Sequence, residues 1–290
     1  MRLLCRVMQV SRSAYYDYVR SKSYVLSSEK AAVGERVKNV FNQHRRRYGA
    51  RRIAAQLKAE GVRVGRFCVR SQMRRLGLRA IAPRRFRPQT TDSRQTAQAS
   101  PNLLLEAANA PQGPGQVIVG DITYLPTRDG GWSYLASWQD KFTKRIVGWA
   151  VADSVTEELV TMAFAKAVAL GAARAGTIIH TDRGSQYVSK NFRALLAATK
   201  CRQSMSRRGN CYDNAQAESF FSRYKAELLE GGVFEDVGQA RSETFSYIEG
   251  YYNRVRRHSA LGYRSPEEFE IDFNKQQKGS GSKSLVCGKT

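Results

Sequence analysis

Histidine is scarce in this 290-residue chain: His44, His180 and His258 stand far apart. The five cysteines (Cys5, Cys68, Cys201, Cys211 and Cys287) are scattered, odd in number and never form a C-x-x-C pair. A structural zinc site needs four closely spaced Cys or His ligands, so the zinc reading fails, and a disulfide framework fails with it. The thiols read as reduced ones in a cytoplasmic protein. Long apolar runs are missing too: no stretch of about 18 apolar residues could span a bilayer. The opening "MRLLCRVMQVSRSAYY" breaks its apolar run at Arg6 and lacks a small-residue cleavage site, which argues against a secretory signal. No apolar heptad is sustained over three or four turns, so no coiled coil is expected. Acid is short in one region only. The chain carries a net charge of +23. Residues 1–100 hold 24 Lys and Arg against 5 Asp and Glu, whereas residues 101–290 hold 24 against 20. Solubility does not require that bias. It favours a polyanionic partner, most simply nucleic acid, over a merely solvated basic face.

What is present divides into regions. Residues 1–82 read as a basic, all-α, DNA-binding region. Val33, Val37, Val40 and Phe41 fall at helical spacing. Ile53, Ala54 and Leu57 mark an amphipathic helix that Gly61 breaks, and Phe67, Val69, Met73 and Leu76 mark a second that stops at Gly77. Two short helices around a glycine-containing turn match a helix-turn-helix, with an ordinary helical hairpin as the alternative. Arg66, Arg70 and Arg74 recur every four residues, so they share a face that could meet phosphates or base edges. A second such fragment is suggested near the start, where Ser11 or Ser13 could cap a short helix through Tyr18. Residues 83–115 are expected to be a linker: "APRRFRPQTTDSRQTAQAS" is basic, polar and nearly free of large apolar residues, and "APQGPGQ" closes it. From Val117 the pattern changes. The segment 117–151 predicts a three-stranded antiparallel meander, and then helix, strand, helix, strand and two helices follow to about Tyr252. That order is a mixed α/β core over residues 116–273. The tail 274–290 reads as disordered.

Three carboxylates fall at the working edges of this core. Asp121 is on the first strand, Asp182 just after the fourth, and Glu218 on the helix after the fifth. Such a set suits phosphodiester chemistry, in which two Mg²⁺ ions about 3.5–4 Å apart clamp the attacking and leaving oxygens. Mg²⁺ takes oxygen ligands and keeps several waters, so few carboxylates suffice. A carboxylate pair doing acid–base work on a sugar remains open, although a basic chain has little call for that substrate. Asn214, Glu218 and Lys225 lie at i, i+4 and i+11 on one helical face, so an amide and a cation flank the third acid where they could touch DNA. A surface arrangement without consequence is the alternative.

The blocks "GDITYL", "HTDRGSQY", "SRRGNCYDNAQAESFFSRYKAEL" and "YNRVRRHSALGYRSPEEFE", in this order, closely resemble the integrase core of bacterial insertion-sequence transposases. With "VSRSAYY" and "RYGARRIAAQL" included, the likeness spans roughly residues 1–273. Thirty-five residues separate Asp182 from Glu218, and Lys225 lies seven beyond Glu218, both as in that family. The resemblance is to the group that makes its transposase from two overlapping reading frames by frameshifting. This chain looks like the second-frame product. The resemblance implies a ribonuclease-H-like fold, shared with retroviral integrases and preceded here by the helix-turn-helix region. It implies that Asp121, Asp182 and Glu218 bind two Mg²⁺ ions, with Mn²⁺ able to substitute. It also implies cleavage of the element's ends and strand transfer by a 3′-hydroxyl, without a covalent protein–DNA intermediate. The implied partners are double-stranded DNA, further copies of the chain on that DNA, and the first-frame protein or its fusion, which carries an upstream helix-turn-helix and leucine zipper. The expected location is cytoplasmic, with the nucleoid. Relatives often carry Trp three residues before the first acid. This chain has Ile118 there, and Gly120 directly precedes the acid.

Four further features are weighed. Arg183 beside Asp182 is a candidate for DNA phosphate. His180 shares a strand side with Asp182 and reads either as a partner of the site or, more simply, as packing at the strand end. Arg256, Arg257 and His258, with Tyr251 and Tyr252, form a basic and aromatic cluster suited to DNA contact, against the alternative of a helix end cradling the core. Trp132, Trp138 and Trp149 read as core aromatics of the meander. The competing functions are a DNA-binding regulator lacking catalysis of its own, which would ignore Mg²⁺ and the acids, and a nuclease that cleaves without transferring.

Overall fold

A computed structural model of the chain describes residues 1–20, 28–83, 100–207 and 214–283. It divides into two compact units, Met1–Ala80 and Ile81–Thr290.

The first unit is helical: α1 Arg2–Val7, α2 Arg12–Val19, α3 Ser28–Gln43, α4 Ala50–Ala59 and α5 Arg66–Arg75. Ser11 caps α2, its hydroxyl accepting from the Ala14 amide at 3.0 Å. Helix α3 buries Val37, Val40 and Phe41, α4 buries Ile53 and Leu57, and α5 buries Val69 and Met73. These apolar stripes pack α3, α4 and α5 against one another. Helices α4 and α5 end alike. Gly61 and Gly77 adopt φ of +81° and +65°. The amides of Val62 and Leu78 then reach back to the carbonyls of Leu57 and Met73, both at 2.8 Å. A left-handed turn of this kind costs glycine least, which is why the helices stop where the glycines stand.

The second unit is built on a five-stranded sheet of order β3-β2-β1-β4-β5, from β1 Val117–Pro126, β2 Trp132–Asp140, β3 Ile146–Ala152, β4 Ile178–Thr181 and β5 Arg202–Met205. Strands β1, β2 and β3 form the expected antiparallel meander, and β4 and β5 add in parallel. Side chains alternate along the strands, so each face buries its own core. One face, with Ile118, Trp138 and Ile179, meets α6 Glu157–Ala169, α7 Ser185–Val188 and α8 Lys190–Ala198 through Leu159, Phe164, Tyr187 and Phe192. The other, with Leu125, Leu135 and Trp149, meets α9 Ala215–Leu229, α10 Val237–Phe245 and the π-turn Ser246–Tyr252 through Phe220, Tyr224 and Tyr247. Each large apolar side chain buried this way stabilises by about 1.5–3 kcal/mol.

Two expectations change. Helix α11 runs from Pro266 to Lys283, so residues 274–283 are helical rather than part of a structureless tail. Residues 284–290 lie outside the described residues. The end of the expected linker is anchored to β5: the amide of Leu103 donates to the Ser204 hydroxyl at 3.0 Å, and the Ser100 hydroxyl to Gln203 at 2.8 Å. Residues 84–99 lie outside the described residues. No helix among the described residues is long and apolar enough to cross a membrane.

Candidate active site

Strand register brings the first two acids level. Strand β1 pairs with β4 only from Val117 to Val119, opposite Ile178 to His180. Counting two residues further along each chain puts Asp121 beside Asp182. There β4 has ended, while β1 continues along β2 to Pro126. The sheet therefore opens a notch at the carboxyl end of β4, the kind of place where open α/β sheets bind ligands. The Asp182 Oδ1 accepts from the Gly184 amide at 3.0 Å, a turn that leads into α7. Glu218 comes from the first turn of α9. Phe220, Phe221 and Tyr224 hold that helix on the sheet face to which Asp121 belongs.

The acids repel one another. Burial pushes the Asp121 carboxyl up to about 8, the Asp182 charge adds to the rise, and Glu218 contributes further. The Ile122 amide, donating to Asp121 Oδ1 at 2.8 Å, and Lys225 oppose it. Asp182 and Glu218 keep exposed faces, yet the protein packed around them raises both carboxyls. Asp140, another buried acid of the sheet, shows the contrast. It accepts from the amides of Gly115, Phe142 and Thr143 and from the Thr143 hydroxyl, a fully satisfied turn. Asp121 has one amide and three unfavourable influences. Among the described residues, no three acid, His or Cys side chains are drawn together into a ready ligand set. Like charges without a counter-ion stay apart. The available donors are hard carboxylate oxygens whose charges meet at Asp121, and that chemistry fits a hard divalent cation such as Mg²⁺.

The surroundings sort the other expected residues. Lys225 is half-buried and within electrostatic reach of Asp121; burial lowers its ammonium and Asp121 opposes that. Asn214 is buried, its Nδ2 donating to the Gly120 carbonyl at 3.4 Å, so it too belongs to the notch. Arg183 turns from Asp182 to the Ser206 carbonyl, to which its Nε donates at 2.9 Å. His180 is fully buried between the hydroxyls of Ser204 at 2.8 Å and Ser206 at 3.1 Å, so it packs at the strand end. Arg66, Arg70 and Arg74 are all exposed on α5.

In the basic cluster near the C-terminus, Arg256 and His258 are buried and face the core, whereas Arg257 is half-buried. Arg256 is 0% exposed, and its Nε donates to Glu227 Oε2 at 2.8 Å. The Tyr247 hydroxyl donates to the same oxygen at 2.9 Å. His258 is buried beside them, its Nε2 lying 3.5 Å from the Arg256 guanidinium, and Arg257 donates to the Tyr263 carbonyl at 2.8 Å. The reason is chain geometry. The neighbouring Asn253 amide bonds both the N–H and the C=O of Ile146 at 2.9 Å, as a strand would, and pins this segment to the edge of β3. For Arg256 and His258 the cradle reading replaces the DNA-contact one.

Two site residues have no single-residue signal in the sequence. Tyr187 is buried edge-on to Trp138, at 5.9 Å between centroids. Burial and then the charges of Asp121 and Asp182 hold its phenol protonated. Trp138 stands directly opposite Gly120 in register, and its ring fills the space that a side chain at position 120 would need. The glycine before the acid is therefore required by a cross-strand partner eighteen residues away, which only the pairing reveals.

The family described as "Integrase core domain" matches residues 111–211, a second family of that description matches 199–266, and an "HTH-like domain" matches 28–86. The chain is 38% identical over 271 residues to "Insertion element IS600 uncharacterized 31 kDa protein" of Shigella sonnei, covering 93% of this chain and 98% of that one. It is 38% identical over 272 residues to "Transposase InsF for insertion sequence IS3A" of Escherichia coli (strain K12), covering 93% of each. Among solved structures it is similar to the HTLV-2 integrase catalytic core domain in complex with magnesium. That likeness has 16% identity and a TM-score of 0.42 over 56% of this chain and 99% of that one.

Proposed function

This chain belongs to the insertion-sequence transposases that carry an integrase core, and from that premise we propose that Asp121, Asp182 and Glu218 are the residues through which it cuts and joins DNA. The observation that carries the assignment is the notch: register sets Asp121 beside Asp182, and Asp121 feels both other acids. Two divalent ions held there, Mg²⁺ or Mn²⁺, would supply polarisation of the phosphodiester and activation of the attacking water or 3′-hydroxyl. The chain's own part is positional and electrostatic. Strand β1 fixes Asp121, the turn after β4 fixes Asp182, the core face of α9 fixes Glu218, and Lys225 balances charge beside Asp121. On this proposal Arg183, next to Asp182 in the chain, would have to leave the Ser206 carbonyl to meet a DNA phosphate. On this reading the element's ends are cleaved and then transferred by direct attack of a 3′-hydroxyl.

The same proposal takes residues 1–82 as the DNA-binding region and 116–273 as the catalytic core. Its support is the exposed Arg66, Arg70 and Arg74 and the charge bias of the first 100 residues. It places the chain on double-stranded DNA as a homo-oligomer, with the first-frame protein as a further partner, in the cytoplasm at the nucleoid. The test uses labelled element ends, a target plasmid and Mg²⁺ or Mn²⁺. Joined products are expected. Hydrolysed ends without joining would replace the transposase mechanism with that of a nuclease.

A further inference from the structure

Asn214 occupies the helix-capping position of α9, one turn before Glu218, yet it does not cap. Asparagine at this position ordinarily turns its side-chain oxygen onto the second or third amide of its own helix. Here no such bond forms. The amide turns instead toward β1, where Nδ2 donates to the Gly120 carbonyl. That carbonyl, an acceptor only, fixes which end of the amide faces it. Oδ1 is consequently left buried and without a hydrogen-bond partner. The whole residue is only 5% exposed. A buried acceptor left unpaired costs stability, and native proteins keep one where a water or an ion completes it.

The location says which. Gly120 immediately precedes Asp121, and the pairing of β1 with β4 ends at Val119, just before it. Asn214 touches β1 beside Asp121 from the position that opens the helix of Glu218. We propose that Asn214 is a positioning residue of the ion site, its Oδ1 accepting from the hydration shell of a divalent cation held by Asp121. The inference rests on the function proposed above. The choice of an amide follows from charge. A fourth carboxylate would add to the repulsion already borne by Asp121, whereas a neutral oxygen adds a partner without adding charge. The same contact, with Nδ2 on β1 and Oδ1 toward the ion, ties the start of α9 to the strand carrying the first acid. The ion thereby helps set where Glu218 stands. This assigns to Asn214 a role different from direct contact with DNA, which its burial prevents.

The test is Mn²⁺ binding to the full chain without DNA, followed by the paramagnetic signal of free Mn²⁺, together with melting temperature in EDTA and in Mn²⁺. Asp121→Asn is the reference that removes the site. Asn214→Ala is expected to weaken Mn²⁺ binding about tenfold, the usual effect of losing an outer partner. Asn214→Asp is expected to bind Mn²⁺ more tightly than the parent, to melt lower in EDTA and to recover in Mn²⁺. A residue serving structure alone would lower the melting temperature equally in both conditions and leave Mn²⁺ affinity unchanged, which would overturn the inference. Should Asn214→Ala not fold, the opposed shifts of Asn214→Asp carry the test alone. If the parent chain itself binds no Mn²⁺, the ion site proposed above falls. If the parent binds, Asp121→Asn does not, and both Asn214 variants match the parent, only the role of Asn214 falls.

Discussion

At the scale of single residues, the site is a balance between burial and repulsion, and Asp121 carries most of it. Its carboxyl is raised to about 8 from an ordinary value near 4, so the folded chain without cations holds a proton that the unfolded chain has already released. Between those values the folded state binds more protons, and stability must fall as pH rises from about 4 to 8. In EDTA the melting temperature is expected to drop across that window. Asp121→Asn should flatten the drop and melt higher than the parent at pH 8. An unchanged pH profile in the variant would show that Asp121 is not the frustrated group. Gly120 makes a second residue-scale case. Its missing side chain is the space filled by the Trp138 ring. Gly120→Ala should cost roughly 1–3 kcal/mol in urea unfolding, the usual penalty for overpacking. A variant as stable as the parent would mean that the ring moves aside freely.

At the scale of elements, two helices divide the labour. Helix α9 carries Glu218 and Lys225 within electrostatic reach of Asp121, with Asn214 at its capping position, and Glu227 in the buried cluster at its other end. The Glu227–Arg256 pair lies in the interior with Tyr247 and His258 around it. Removing one partner of such a pair costs about 3–5 kcal/mol, because the other charge is stranded. Arg256→Met is expected to show that loss in denaturant while leaving the DNA affinity of the folded protein intact. Weakened DNA binding at unchanged stability would return Arg256 to the surface role. Helix α5 is the opposite case, with Arg66, Arg70 and Arg74 all in solvent. Each Arg→Ala change there should lower the salt dependence of DNA binding by about one phosphate contact. An unaltered slope in all three would remove α5 from the interface.

At the scale of the whole molecule, what was legible followed from local physics. Alternating and helical periodicity located the meander, α4, α5, α6 and α9, with Asp121 within the first strand, Asp182 just after the fourth and Glu218 in the first turn of α9. What was not legible depended on distant partners. A run of arginine, tyrosine and histidine looks the same whether it meets DNA or, as here, a glutamate buried twenty-nine residues upstream. The need for Gly120 resides in β2, and the fate of the Asn214 amide in β1. Helix α11 went unpredicted beyond residue 273 because "NKQQKGSGSK" has no apolar period to announce it. The central claim joins these scales: one notch, three acids, one reaction on DNA. Substituting Asp182 with Asn tests it most directly, with strand transfer of labelled element ends and binding of the same ends measured side by side. The account predicts that transfer is abolished while binding persists at the parent's affinity. Transfer retained by the Asp182→Asn chain would contradict it.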